Sequence, residues 1–201
     1  MRKYLAVLAI VMCTLWIAMP AAADTQLITN GGFETGDFSG WTLTGNTANP
    51  GVNYFVDAFD ANSGAYGAGL GAIDSPLTLS QSFATSVATG NLLTISFAVA
   101  LNYDGVPVPD PGKTGLISSF VVTLNGDTLL TLDNTSVAGA YEVFTYTLGA
   151  PDGPYTLSFT SQNDLDFWSL DDVSVTAPEP QSLLLLASGM SGLVFVRRRR
   201  A

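Results

Sequence analysis

Between Asp24 and Thr176 the chain carries 16 carboxylates, one amine (Lys113) and no imidazole. Histidine occurs nowhere, and the single cysteine, Cys13, lies near the N-terminus. A Ser-His-Asp or Cys-His nucleophile therefore cannot be assembled. Zinc lacks its usual ligands. Two carboxylates suffice for glycoside hydrolysis, but the acids are nearly all Asp, scattered among turn-like stretches. Nothing marks Glu34 or Glu142 as half of a catalytic pair. We expect no enzyme activity. Scattered Asp suits a solvated surface, or ligation of calcium, which takes about 6–8 oxygens from carboxylates and carbonyls. Asp171 has the sharpest need of a partner. It alternates with Val173 and Val175, so a strand there puts a carboxylate on an apolar face. The aromatic residues Trp41, Tyr54, Tyr66, Tyr103, Tyr141 and Trp168 offer flat faces to sugar rings. Trp41 and Trp168 read as core, and Tyr103, beside a long loop, is the candidate glycan contact.

The elements that position these residues begin after residue 23. Arg2 and Lys3 precede an apolar stretch from Tyr4 to Met19, then Pro20 and "AAAD". A charged start, an apolar middle and a small-residue end read as a secretory signal peptide over 1–23, cleaved after Ala23. The exported chain then has no cysteine, so a disulfide framework is excluded although the compartment permits one. The acids and the lone Lys113 give 24–176 a formal charge of −15. Such a body repels nucleic acid and anionic membrane surfaces. Its length is right for one domain that buries about 70% of the surface of its unfolded chain.

The body reads as β throughout. In "LLTISFAVAL", Leu93, Ile95, Phe97, Val99 and Leu101 face one way and Thr94, Ser96, Ala98 and Ala100 the other. "YTLSFTS" alternates in the same way from Tyr155 to Ser161. "FVVTLNGDTLLTL" predicts a hairpin, because Asn125-Gly126 can take the two positive φ angles of a type I′ turn. Further strands are predicted at 26–29, 40–45, 52–57, 65–71, 77–83, 141–148 and 168–176, with Gly, Pro, Asn and Asp in the gaps. No segment of the body has a 3.6-residue period. Ten or eleven short strands imply an all-β fold of two packed antiparallel sheets, a sandwich or jelly roll, over 24–176. One connection, Asn102 to Gly115, has three prolines and the only Lys of the body and is long enough to be a binding loop. "NTS" at Asn134 reads as a turn.

The chain ends in "PEPQSLLLLASGMSGLVFVRRRRA". Residues 181–196 span about 24 Å as a helix, a little short of the roughly 30 Å hydrocarbon layer. Arginine snorkelling and local thinning make up the difference, which predicts a single C-terminal transmembrane helix. Arg197, Arg198, Arg199 and Arg200 form a basic tip that favours the cytoplasmic side and leaves the acidic body outside.

Three stretches carry a resemblance. "NGGFETGDFSGW" (Asn30 to Trp41) opens the body and "NDLDFWSLDDVSVT" (Asn163 to Thr176) closes it, and "APEP", an apolar run and four arginines end the chain. The tail resembles the PEP-CTERM sorting signal of bacterial exported proteins. The opening and closing stretches resemble the first and last strands of jelly rolls like carbohydrate-binding modules. The tail resemblance implies a sorting segment over 177–201 and an exosortase-type enzyme that recognises Pro178, Glu179 and Pro180. It also implies an inner-membrane intermediate, then release or attachment to the envelope or extracellular matrix. The body resemblance implies a structural calcium joining the first strand to the last. Its carboxylates would come from Glu34 and Asp171, with Asp172 and backbone oxygens near Asn30 or Gly32 beside them. The chain is thus expected to be a non-enzymatic surface or matrix protein. The alternative is a lectin-like module for a defined glycan. The partners implied are the processing enzyme, the membrane before processing and extracellular polysaccharide, with no nucleic acid.

Overall fold

A computed structural model describes residues 24–48, 50–51, 53–85, 92–102, 118–133, 140–149, 151–164 and 167–178. The signal segment 1–23, Tyr103, Lys113, Glu179, Pro180, the apolar run 181–196 and Arg197 to Arg200 lie outside the described residues. Among the described residues no helix is long and apolar enough to cross a membrane.

The described residues form eleven strands. They are β1 (Thr25–Gln26), β2 (Thr42–Gly45), β3 (Tyr54–Asp57), β4 (Gly67–Leu70), β5 (Leu77–Thr85) and β6 (Leu92–Asn102). They continue as β7 (Ser118–Leu124), β8 (Asp127–Asp133), β9 (Glu142–Gly149), β10 (Gly153–Asn163) and β11 (Phe167–Ala177). One sheet runs β3-β4-β11-β6-β9, with β1 also paired to β11, and the other runs β2-β5-β10-β7-β8. The strand pairs within both sheets are antiparallel. The predicted two-sheet, all-β architecture is observed. Both sheets and the buried core fall within the compact unit Thr25–Ala177.

Alternation decides which face is buried. On β6, Leu93, Ile95, Phe97, Val99 and Leu101 are buried, as their spacing requires. On β10, Leu157 and Phe159 point inward while Thr156, Ser158 and Thr160 stay half-exposed. The sheets meet through rings: Phe97 lies edge-on to Phe159 at 5.3 Å between centroids, and Phe120 sits 6.0 Å from Phe159 and 5.5 Å from Trp168. Each such ring adds roughly 1.5–3 kcal/mol by leaving water. The hairpin joining β7 to β8 turns at Asn125 (φ 51°) and Gly126 (φ 90°), the two positive angles its sequence predicts.

Phe97 is the ring on which the packing converges, since it also stacks on Phe144 at 5.8 Å and Tyr146 at 6.2 Å. Phe97→Ala should destabilise residues 24–177 by about 3–5 kcal/mol in urea unfolding. A cost under about 1 kcal/mol would mean that the two sheets do not depend on this contact.

Candidate functional site

The site predicted from sequence, where the opening stretch meets the closing strand, is built on an irregularity in β11. The register between β11 and β6 slips between Asp171 and Ser174, and Asp172 takes φ 52°. This bulge resets the alternation. Trp168 and Leu170 before it and Val173 and Val175 after it are all buried. Asp171 therefore does not share a face with Val173 and Val175, as plain alternation predicted. The extra residue separates them, and Asp171, though fully buried, turns toward hydrogen-bond donors.

The opening stretch runs along β11 on the C-terminal side of this bulge. Leu27 N donates to Val175 O at 2.8 Å, and Val173 N donates to Gly31 O at 2.9 Å. The stretch holds its shape through its own aromatic residues. Phe33 is fully buried and stacks on Trp41 at 5.7 Å, and Trp41 Nε1 donates to Asn30 O at 3.0 Å. Before the bulge the same edge of β11 is taken by β4, through Trp168↔Leu70, Ser169↔Gly69 and Leu170↔Ala68. Asp171 thus stands where two different strands hand over one edge.

A third segment closes the gap, the connection between β3 and β4. Asp57 Oδ1 starts it by accepting from Phe59 N at 2.9 Å and Asp60 N at 3.1 Å. Asp60 is buried. Its carboxylate accepts the Ser169 hydroxyl, and its carbonyl accepts the Tyr141 hydroxyl. The next residues face three acids in turn. Asn62 N (2.8 Å) and Ser63 N (3.0 Å) donate to Asp171 Oδ2, while Asp172 N donates to Oδ1 at 2.7 Å. Asn62 Nδ2 and Ser63 Oγ donate to the two oxygens of Asp172 at 2.7 and 2.6 Å. Ala65 N donates to both oxygens of Glu34 at 2.9 and 3.1 Å, and Tyr66 N adds a bond at 3.2 Å. Gly64, at φ 68°, lets the chain pass, because a Cβ there would lie 2.1 Å from Glu34 Oε1.

Glu34, Asp171 and Asp172 are thus brought to one short loop, as the sequence reading paired them. Their partners are amides and a hydroxyl. Among the described residues there is no Lys, Arg or His to neutralise them, and no three His, Cys, Asp or Glu side chains gather to hold a metal. The donor chemistry suits calcium in kind, being carboxylate oxygen, but a cation would have to compete with the N–H groups already aimed at those oxygens. Charge-assisted bonds of this type are about twice as strong as neutral ones, so the arrangement is satisfied as a tie between the ends of the domain.

Burial pushes the Asp171 carboxyl above the ordinary aspartate range, against the pull of the Ser63, Asp172 and Asn62 amides. Burial and the neighbouring Asp60 charge push the Tyr141 hydroxyl up as well. Asp37 moves the other way, lowered by hydrogen bonds from Ser39 and Thr35 at the surface. Sequence reasoning missed the loop from 58 to 66. Its Asn, Ser and Gly announced a turn, but the carboxylates it caps lie 109 and 110 residues away. Of the aromatic residues, Trp41 and Trp168 are core and Tyr54 and Tyr141 are half-buried. Among the described residues the most exposed large hydrophobic ring is Phe59, at 83%, which alternation did not single out.

The raised Asp171 carboxyl fixes the sign of a pH effect. The folded state holds that proton more readily than the unfolded chain, so this group's contribution falls as pH rises from the ordinary aspartate value through its folded one. Asp37 opposes this only at lower pH, where its depressed pKa is crossed. Residues 24–177 should therefore lose melting temperature to this group as pH rises from the ordinary aspartate value, until the carboxyl is ionised in the fold as well. Asp171→Asn should shrink that slope and, by aiming an amide N–H at backbone N–H groups, cost about 1–3 kcal/mol at neutral pH. An unchanged slope in the variant would remove Asp171 as its source.

The comparisons with known proteins bear on the tail and on the fold. Residues 176–200 match the PEP-CTERM protein-sorting motif. No curated protein matches the chain by sequence. The carbohydrate-binding module TmCBM61, solved in complex with β-1,4-galactotriose, is similar over 75% of this chain and 97% of its own, with TM-score 0.51 and 17% identity. A cyclase from Fischerella sp. TAU, solved with 4-(1H-indol-3-yl)butan-2-one, is similar over 78% of this chain and 99% of its own, with TM-score 0.55 and 15% identity. The enzymatically active domain of tailspike protein 4 from bacteriophage CBA120 is similar over 76% of this chain and 21% of its own, with TM-score 0.55 and 9% identity. At these identities the likeness is one of fold, and the fold serves binding modules and enzymes alike. The chain therefore carries a PEP-CTERM sorting signal, the mark of an exported protein handled by an exosortase-type system, behind a jelly-roll domain with the fold of carbohydrate-binding modules.

Proposed function

We propose that this chain is a non-catalytic surface or extracellular-matrix protein, with its jelly roll as the delivered cargo and its tail as the address. The observation that carries this reading is the junction. The sorting motif begins at residue 176, inside the last strand, β11, and the chain leaves that strand at an exposed Pro178. The folded domain thus ends where the Pro178, Glu179, Pro180 motif begins, and proline restricts both its own φ and the residue before it. In this reading 181–196 holds the chain in the membrane, Arg197 to Arg200 stop its passage, and cleavage near Pro178, Glu179 and Pro180 frees the body for the envelope or matrix. The absence of catalysis is supported by the lack of His and Cys between residues 24 and 201. It is also supported by the hydrogen bonds that occupy Glu34, Asp37, Asp171 and Asp172.

Mass spectrometry of the C-terminus in the natural host tests the address. The mature protein should end near residues 178–180, and replacing Pro178 and Pro180 should leave it in the membrane. Retention of Arg197 to Arg200 on the mature protein would refute processing. The lectin-like alternative has the fold in its favour, and a glycan array on residues 24–177 separates it from a purely structural role. Binding to one defined glycan would establish it.

A calcium ion shared by Glu34 and Asp171, with Asp172 beside them, is a separate proposal. It is supported by the uncompensated charge of these acids. A ligand that binds only the folded state adds about 2.7 kcal/mol at a hundred times its dissociation constant. Calcium should therefore raise the melting temperature of residues 24–177 by several degrees over chelator. Glu34→Gln or Asp171→Asn should remove most of that rise. A melting curve indifferent to calcium leaves the amide tie as the whole account of these acids.

A further inference from the structure

An edge strand presents a row of unpaired N–H and C=O groups to any other strand, and proteins blunt such edges with shortness, bulges, proline or charge. In this domain the outer strands are guarded unequally. β1 has two residues, and β2 and β3 have four each. β8 has seven, but its register against β7 breaks between Val122 and Thr123, and Asp127 and Asp133 close its two ends. β9 has none of these devices. Its eight residues, Glu142 to Gly149, keep an unbroken register with β6 from Leu92↔Gly149 to Val99↔Glu142. It has no proline, lysine or arginine, and its one acid is its first residue. Among the described strands it is paired on one side only. Val143 on β9 is 64% exposed, and Leu92, across from Gly149, is 51% exposed.

We propose that β9 pairs antiparallel with β9 of a second copy of this chain, joining two six-stranded sheets edge to edge across a two-fold axis. The strand suits its own copy. Val143, Phe144, Thr145, Tyr146 and Thr147 are β-branched or aromatic residues, the types that strands favour. Pairing must keep the two-residue period, so that outward side chains meet outward ones. Alignments centred on Thr145 or on Tyr146 both do so. They continue the exposed row of Val143, Thr145 and Thr147 into the partner; centred on Tyr146 the pairing sets Phe144 across from Leu148 and Tyr146 across from itself, and centred on Thr145 it sets Phe144 across from Tyr146, with Leu148 across from Glu142. In either alignment Glu142 lies at an outer end of the seam and never faces Glu142 of the other copy. Such an interface is isologous and closes as a dimer.

Charge sets the conditions under which the two copies pair. The formal −15 over residues 24–176 pushes two copies apart. Within the sheet edge, however, the only acid is Glu142. Repulsion is then long-range and screenable, while the seam itself is uncharged, so salt should tighten the pairing. An interface held by ion pairs would loosen instead. This inference stands apart from the sugar-binding reading.

Sedimentation velocity on residues 24–177, over a wide concentration range at low and high salt, tests it. The expected result is a monomer–dimer equilibrium that moves toward dimer as salt rises. Amide exchange should slow within 142–149 as the dimer forms, a readout that needs no variant. Thr145→Asp combined with Thr147→Asp should weaken association about tenfold by placing like charges across the seam. Thr131→Asp on β8 should leave it unchanged. A protein that sediments as a monomer throughout, or a dimer broken by the β8 variant and indifferent to the β9 pair, would overturn the proposal.

Discussion

The fold turns on how one buried carboxylate is satisfied by backbone N–H groups. Asp171 sits in the middle of β11, where β4 stops pairing along one edge and the opening stretch begins. An ionised group left there without partners would cost several kcal/mol. Three N–H groups prevent this, two from the β3–β4 connection and one from its own bulge. The same connection then satisfies Asp172 and Glu34. One short loop thereby binds the first segment of the domain, the last strand and the edge between them. This loop joins the two ends of the domain.

That arrangement suits a chain so poor in positive charge. With no Lys, Arg or His among the described residues, acids cannot be paired conventionally, and they serve as hydrogen-bond acceptors for turns. Asp57 starts the β3–β4 connection and Asp60 anchors it by accepting the Ser169 hydroxyl, while Asp37 shapes the opening stretch by accepting from Thr35 and Ser39. The cost is that one buried acid, Asp171, is held above its ordinary protonation range. The strand faces are left almost free of charge. Rows of Thr and Ser cover the outside of β5 and β10, some bonded to each other, as Thr78 is to Thr160 at 2.9 Å and Ser82 to Thr156 at 2.8 Å. Among the described strands the acids stand at strand ends, as Asp57, Asp127, Asp133 and Glu142 do, or at the β11 bulge, as Asp171 and Asp172 do.

The fold itself leaves function open. A sugar-binding module and a cyclase share it at similar TM-scores. What distinguishes this chain is the sorting motif that takes over within β11. The motif bears on where the domain goes, and the loops and edges bear on what it meets there.

Much of this was legible in the sequence because it is local. Alternation in 93–101 and 155–161 determined which side chains of β6 and β10 enter the core, since a strand has a period of two whatever it packs against. Asn125-Gly126 determined its turn, because few other pairs tolerate two positive φ angles. The lack of His and Cys excluded whole chemistries, and Pro-Glu-Pro before an apolar run and four arginines announced the address. Tertiary structure decided the rest. The order β3-β4-β11-β6-β9 is a choice among pairings that the strand pattern alone leaves equal. The bulge after Asp171 reversed the face that alternation assigned, because a single inserted residue shifts everything beyond it. The partners of Glu34, Asp171 and Asp172 were invisible for a related reason. A backbone N–H carries no signature of residue type, and only the folded chain brings Asn62 to Tyr66 against carboxylates from its two ends.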